Sequence, residues 1–121
     1  MATLPDDPAK RKGAPVFTGV MKYFPRAMCE IAKVSVAGQK QHNPGQPLGW
    51  DRSKSTDDLD AAARHMLDAG GIDSDGQRHT AKAAWRLMAA LERELEAAAS
   101  APNQMRNTSL DELYRQADRS P

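Results

Sequence analysis

The sequence predicts an all-α fold: a small bundle of three main helices with a flexible N-terminal arm and a short C-terminal helix. Hydrophobic residues make up 40% of the chain, but Phe, Trp and Tyr occur only twice each and alanine dominates the apolar set. Alanine is the strongest helix former, whereas strands favour aromatic and β-branched side chains. Apolar residues also recur at helical spacing in three separate segments.

Composition divides the chain, which at 121 residues is one domain at most, into three parts. Residues 1–15 contain three prolines, mixed charges and almost no large apolar side chain, which predicts a flexible arm. Residues 16–100 form the helical domain. Residues 101–121 form a linker and a short C-terminal helix, because Ser109 and Glu112 make a capping box and the helix then reaches about Asp118.

Local signals mark the ends of the three main helices. The first begins at Pro25, since proline suits the first helical turn. The second is capped by Ser55 or Thr56 and ends at a Gly-Gly pair that begins with Gly70. The third begins near residue 77 and is ended by Pro102.

Each helix is expected to bury one apolar face. The first face includes Met28, Ile31 and Val34, with Cys29 as a small buried neighbour. The second face comprises Leu59, Ala62, Ala63, Met66 and Leu67. The third comprises Ala81, Ala84, Met88, Leu91 and Leu95.

Charge and composition exclude several function classes. The 17 basic and 16 acidic side chains leave a net charge of +1, which gives no field to attract nucleic acid or an anionic membrane. No segment approaches the ~20 apolar residues needed to span a bilayer. A single cysteine suits a reducing compartment, so we expect a cytoplasmic protein.

Acidic residues and histidines are concentrated between Asp57 and His79, in two helix ends joined by a Gly-Gly loop. Part of this acidity caps helices or faces solvent, as expected of Asp57 and Asp68. The remaining candidates are Asp60, His65, Asp73, Asp75 and His79. Because carboxylates suit hard divalent cations, the set predicts an Mg²⁺ or Mn²⁺ site for a phosphorylated ligand. A well-capped helical hairpin with a solvated tip has the same pattern.

Glu30, Lys33 and Lys40 lie within about one quadrant of the first predicted helix. They form either a solvated face with one Glu–Lys pair or a metal-binding carboxylate beside two phosphate-binding ammonium groups. Both interpretations fit this segment taken alone.

Two further residues are candidates for substrate binding. Trp50 lies in a loop rich in Pro and Gly, where a large ring either fills the core or covers a ligand, and tryptophan can stack on a nucleobase. Lys82 lies in line with His79 and Arg86 near the start of the third helix, which suits a polyphosphate. Lys82 and Arg86 are equally typical of an exposed helix face.

Three common kinds of site are absent from the sequence. It contains no Gly-rich phosphate loop, no cysteine pair for zinc, and no Ser or Cys nucleophile placed with a base. The set of carboxylates and histidines therefore favours a divalent cation, which polarises a phosphate and lowers the pKa of an attacking water.

The blocks E-x-x-K-V, G-x-K, G-W, R-H, D-x-D-G and H follow one another in this order between Tyr23 and Glu96. In this arrangement the chain resembles the phage-associated dATP/dGTP diphosphohydrolase family, which is similar to the all-α nucleotide pyrophosphohydrolases of the MazG type. The resemblance implies an oligomeric helical bundle that removes pyrophosphate from a purine deoxynucleoside triphosphate with Mg²⁺ or Mn²⁺. It also implies a bacteriophage origin and action in the host cytoplasm.

The resemblance also implies a role for each matched residue. The metal ligands would be Glu30, Asp60, Asp73, Asp75 and His65. The catalytic residues would be Glu30, Asp73 and His79, and the substrate-binding residues would be Lys33, Lys40, Trp50 and Lys82. Lys33 stands where the MazG-type metal pattern has a second acidic residue, and Gln41 follows Lys40 where the family tends to have a tyrosine.

Two interpretations from other classes fit the same residues. The first is a non-catalytic helical protein that binds or sequesters a nucleotide without hydrolysing it. The second is a purely structural or interaction bundle that presents its last helix to a partner.

Overall fold

The computed structural model describes residues 5–100, which form an all-α fold as predicted. The elements are α1 (Pro8–Lys12), a π-helical turn (Phe17–Met21), α2 (Pro25–His42), α3 (Asp58–Leu67) and α4 (His79–Ser100). The described residues form no strand, only an isolated bridge between Ile72 and Arg78. None of the described helices is long and apolar enough to cross a membrane. The C-terminal helix predicted from Ser109 lies outside the described residues.

The N-terminal stretch contains a short helix that the sequence does not predict. Asp7 caps α1, because its carboxylate accepts a hydrogen bond from the backbone N–H of Ala9 at 3.2 Å, and Pro8 occupies the first helical position. The helix has five residues and buries none of them. Its presence therefore depends on local capping and not on packing.

The main helices begin and end close to the predicted residues, because local signals decide these positions. Pro25 starts α2 as predicted. Asp57 caps α3 in place of the predicted Ser55 or Thr56, although its side chain makes no capping hydrogen bond. Beyond α3, Gly70 adopts a φ of +93°, a conformation that side chains with a Cβ rarely adopt.

The centre of the fold is built from alanines. Helix α4 packs against both α3 and α2. The buried apolar residues of the described chain, 1–7% exposed, are Ala61, Ala62, Ala81, Ala83, Ala89 and Ala90. Small methyl groups let helix backbones approach closely, so the helices meet through these stripes.

This packing corrects the predicted buried faces. The large residues Met88, Leu91 and Leu95 of α4 are 53–57% exposed, and Met66 and Leu67 of α3 are exposed as well. Ala62 and Ala81 are buried as predicted, whereas the large members of the predicted faces are exposed, because the helices meet through their alanines.

Cys29 is exposed, which corrects its prediction as a buried residue. Its neighbours Met28 and Ile31 are half-buried. Helix α2 has no fully buried residue. The apolar spacing of α2 therefore marks a partly covered face and not a core.

Candidate functional site

Two histidines and one aspartate meet at the hairpin between α3 and α4. The Nδ1 atoms of His65 and His79 are 2.9 Å apart, so one imidazole donates a hydrogen bond to the other. Asp73 Oδ2 lies 4.0 Å from His79 Nδ1. One ligand atom from each of these half-buried residues lies within 4.8 Å of the other two. The three could therefore hold one metal ion.

The loop between the helices brings Asp73 back to His79. The backbone N–H of Asp73 donates to the carbonyl of Gln77 at 2.8 Å, and that of His79 donates to Gly71 at 3.2 Å. The turn closes through Gly76, whose φ of +82° favours glycine. A Cβ on Gly71 would lie 3.3 Å from the carbonyl oxygen of Asp68 and 3.6 Å from the His79 ring, so this close approach also favours glycine.

Lys82 joins the two carboxylates of the loop. Its Nζ atom lies 2.7 Å from Oδ2 of Asp73 and 2.7 Å from Oδ2 of Asp75. The hydrogen bond from Lys82, with one from the backbone N–H of Ser74, lowers the pKa of Asp73 to about 2. The pKa of Asp75 is lowered mainly by Lys82 as well. Burial opposes the charge on Lys82, but the two hydrogen bonds outweigh burial and raise its pKa.

His65 is held in its neutral form at neutral pH. Partial burial lowers its pKa below the ordinary value of 6.5, and the positive charge of Lys82 lowers it further. A neutral imidazole has a free lone pair on one ring nitrogen. His65 can therefore ligate a metal or accept a proton.

A cavity of about 480 Å³ lies beside this cluster, between the C-terminal half of α2, the loop at residues 43–57, α3 and α4. This volume is in the range of small-molecule sites. Four predicted site residues line it: Trp50, His65, Asp75 and Lys82. His65 thus belongs to both the cluster and the cavity wall.

Two tryptophans form one wall of the cavity. The rings of Trp50 and Trp85 pack edge to face, with centroids 5.7 Å apart. The indole N–H of Trp85 donates to Ser35 Oγ at 2.7 Å, and the guanidinium of Arg52 lies 4.0 Å from the centre of the Trp50 ring. Trp50 therefore packs against its own chain and also lines the cavity, which is compatible with both roles predicted for it.

A buried ion-pair network connects the loop at residues 43–57 and the start of α3 to α4. Asp58 is 2% exposed, and its Oδ1 accepts a hydrogen bond from Nη1 of Arg86 at 3.0 Å. The Nε atom of Arg93 lies 3.3 Å from Oδ2, but its N–H makes no hydrogen bond, so this contact is an ion pair. Arg86 also donates to Ser55 Oγ at 2.9 Å, and Arg93 to the carbonyl of Arg52 at 3.0 Å. Arg86 is therefore fixed where it lines the cavity.

Four predicted site residues belong neither to the cavity wall nor to the cluster of His65, Asp73 and His79. Glu30 and Lys33 pair with each other at 3.0 Å and line neither the cavity nor the cluster. Lys40 is exposed and does not line the cavity, and exposed Asp60 does not join the cluster. For Glu30 and Lys33 the geometry favours the solvated face with one Glu–Lys pair.

Asp58 and Trp85 were not predicted as site residues, and Arg86 was named only as part of the line with His79 and Lys82 that suits a polyphosphate. Trp85 resembles a core residue in sequence, and Asp58 lies 28 positions from Arg86, so no spacing rule connects them. The sequence feature that indicates Arg86 as a site residue is its spacing of four from Lys82, which places both side chains on one side of the helix.

The fold and cavity define a small all-α domain with a polar site large enough for a small molecule. The family model described as "dATP/dGTP diphosphohydrolase, N-terminal" matches residues 7–102. The chain therefore belongs to the dATP/dGTP diphosphohydrolase family, and the predicted resemblance is confirmed. No curated protein and no solved structure matches the chain. The family's name indicates diphosphohydrolase activity.

Proposed function

We propose that this chain hydrolyses a purine deoxynucleoside triphosphate to its monophosphate and pyrophosphate, with the cavity holding the nucleotide and the cluster holding a divalent cation. The observation that supports this most is the position of His65, which belongs to both the cluster and the cavity wall. A cation at the cluster would thus lie beside a ligand in the cavity. The family membership supports the reaction type.

The cavity offers suitable partners for both ends of a nucleotide. Trp50 and Trp85 present aromatic surface for a base, and such stacking is worth about 1–3 kcal/mol per base. Lys54, Lys82 and Arg86 also line the cavity and would neutralise the triphosphate. Arg86 is held beside the cavity by hydrogen bonds to Asp58 and Ser55, which position its charge for this role.

The donor atoms of the cluster fit a first-row transition metal, which accepts imidazole more readily, better than Mg²⁺. His65, Asp73 and His79 offer two imidazole nitrogens and one carboxylate, whereas Mg²⁺ prefers oxygen ligands in octahedral geometry. Of the two ions predicted, Mn²⁺ is therefore the one we propose. When bound, such an ion supplies a Lewis acid for the phosphate and lowers the pKa of a water molecule.

The residues of the chain would carry the proton and the charge. The oxygen of a water molecule bonds to the α-phosphorus, the bond from that phosphorus to the bridging oxygen breaks, and pyrophosphate leaves. With His65 and His79 as metal ligands, the water proton would pass to the carboxylate of Asp75, which lines the cavity and is not one of the three cluster residues. Lys82 would hold the charge of the leaving group while it keeps Asp73 and Asp75 ionised.

A panel of all four deoxynucleoside triphosphates tests the proposal, each incubated with Mn²⁺, with Mg²⁺ or with a chelator. We expect monophosphate and pyrophosphate from dGTP and dATP with Mn²⁺, slower release with Mg²⁺, and none with the chelator. Release of single phosphate, or no turnover of any nucleotide, contradicts it.

A nucleotide-binding protein without catalysis is the second candidate. It is favoured by Lys82, whose ammonium group already occupies Oδ2 of both Asp73 and Asp75 and so competes with a cation. This alternative predicts that dGTP raises the melting temperature in the presence of chelator, and that the nucleotide is recovered intact after incubation with Mn²⁺.

A further inference from the structure

One side chain of α2 holds the first half of the loop at residues 43–57. Nε2 of Gln39 donates to the backbone carbonyl of Asn43 at 2.6 Å and to that of Gln46 at 3.1 Å. Its Oε1 accepts a hydrogen bond from the backbone N–H of Gly49 at 3.3 Å. An amide side chain has two N–H donors and one acceptor oxygen. Gln39 therefore uses both ends of its amide on this loop.

The second half of the loop is held by α4 instead. Arg93 donates to the backbone carbonyls of Arg52 at 3.0 Å and Ser55 at 3.2 Å. Among the hydrogen bonds of the described residues, the side-chain bonds to the segment 44–49 come from Gln39 alone. The position of this segment therefore depends on a single side chain.

We propose that Gln39 is a positioning residue of the candidate site, because its hydrogen bond to Gly49 sets Trp50 at the cavity. The two neighbours of Gly49 in the chain, Leu48 and Trp50, both line the cavity. Leu48 is 62% exposed although it is apolar. A ligand in the cavity would meet both side chains, and Gln39 fixes the backbone between them.

Loss of these hydrogen bonds should free the segment 44–49. The loop contains no helix or strand, and backbone entropy opposes the ordering of such a segment. The hydrogen bond from Asn43 to Asp51, at 3.0 Å, joins only residues before and after the segment. If about one molecule in ten then keeps Trp50 in place, the apparent affinity for a ligand that contacts its ring falls about tenfold.

Quenching of Trp50 fluorescence by acrylamide tests the positioning in the free protein. The chain has two tryptophans, so Trp85→Phe leaves Trp50 as the single tryptophan. In that background Gln39→Met, which keeps the length of the side chain but loses its hydrogen bonds, should raise the quenching constant toward that of the urea-unfolded protein. Gln46→Ala is the matched control and should leave the quenching unchanged, because it retains the backbone carbonyl to which Gln39 donates. Helicity by circular dichroism should be the same in all variants.

The kinetic role of Gln39 rests on the proposed function. With dGTP and Mn²⁺, Gln39→Met should raise KM about tenfold and leave kcat within about twofold. The two constants should separate because Gln39 belongs to the cavity wall, whereas the cluster that would bind the cation does not include it. Gln46→Ala should leave both constants unchanged.

Unchanged quenching in Gln39→Met, or an equal rise in Gln46→Ala, overturns the proposal. A decrease in kcat with KM unchanged overturns it as well, because it would place Gln39 in the chemical step. If quenching rises as expected but the natural protein releases no pyrophosphate from dGTP, Gln39 still positions Trp50 and the proposed function fails.

Discussion

Replacing Asp58 by alanine should destabilise the protein more than loss of any exposed ion pair. The carboxylate is 2% exposed and lies 3.0 Å from Arg86 and 3.3 Å from Arg93. Its removal leaves two partly buried guanidinium groups facing each other without a counterion. Breaking a buried pair in this way costs about 3–5 kcal/mol. Because both arginines retain some solvent contact, we expect the lower end, about 3 kcal/mol.

For a domain of this size, about 3 kcal/mol corresponds to a decrease of roughly 12 °C in melting temperature, at about 4 °C per kcal/mol. Thermal and urea unfolding followed by far-ultraviolet circular dichroism measure the change. The control is Glu96→Gln, which removes an exposed pair with Arg52 and should cost less than about 1 kcal/mol. A decrease for Asp58→Ala no larger than that of the control refutes the network as a major source of stability.

Three further predictions concern the site. Trp50→Ala should weaken dGTP binding, measured by calorimetry, by about 1–3 kcal/mol, whereas Trp50→Phe retains most of the affinity; equal affinity of Trp50→Ala and the natural protein contradicts the stacking role. His65→Ala should abolish Mn²⁺ binding by calorimetry, and unchanged binding excludes the cluster as the metal site. The pKa of Asp51 is lowered from 3.8 to about 2 by hydrogen bonds from Ser53 and Asn43. Its contribution to stability is therefore present above pH 3.8 and is lost as the pH falls through about 2. Urea midpoints of the natural protein should decrease more steeply across this window than those of Asp51→Asn, and parallel curves contradict it.

Local signals account for the part of the fold that the sequence predicts. Pro25 at the start of α2 and Gly70 after α3 determine helix ends through backbone geometry alone. These helix ends were therefore predictable without knowledge of any tertiary contact. Which side of α4 is buried was not predictable from such local signals. Its alanine stripe and its leucine stripe are both apolar, and only the close packing with α3 decides between them.

In the candidate site, too, contacts between residues close in sequence were predictable, whereas contacts between residues far apart in sequence were not. His65 and His79 are 14 residues apart across one hairpin, and their approach was predicted from that hairpin. The contact of Asp58 with Arg86 spans 28 residues and depends on how α3 packs on α4, so spacing did not predict it. Glu30 matched a block of the family pattern, but its position one turn before Val34, which lines the cavity, leaves it outside the site.

The release of pyrophosphate from dGTP with Mn²⁺, compared between the natural protein and Asp73→Asn, tests the central claim most directly. Asp73 is the carboxylate of the cluster, and its loss should reduce the rate by at least about a hundredfold. Asp68→Asn, at an exposed residue of the same hairpin, should leave the rate unchanged. No pyrophosphate from the natural protein, or a rate for Asp73→Asn within a few-fold of it, contradicts the account.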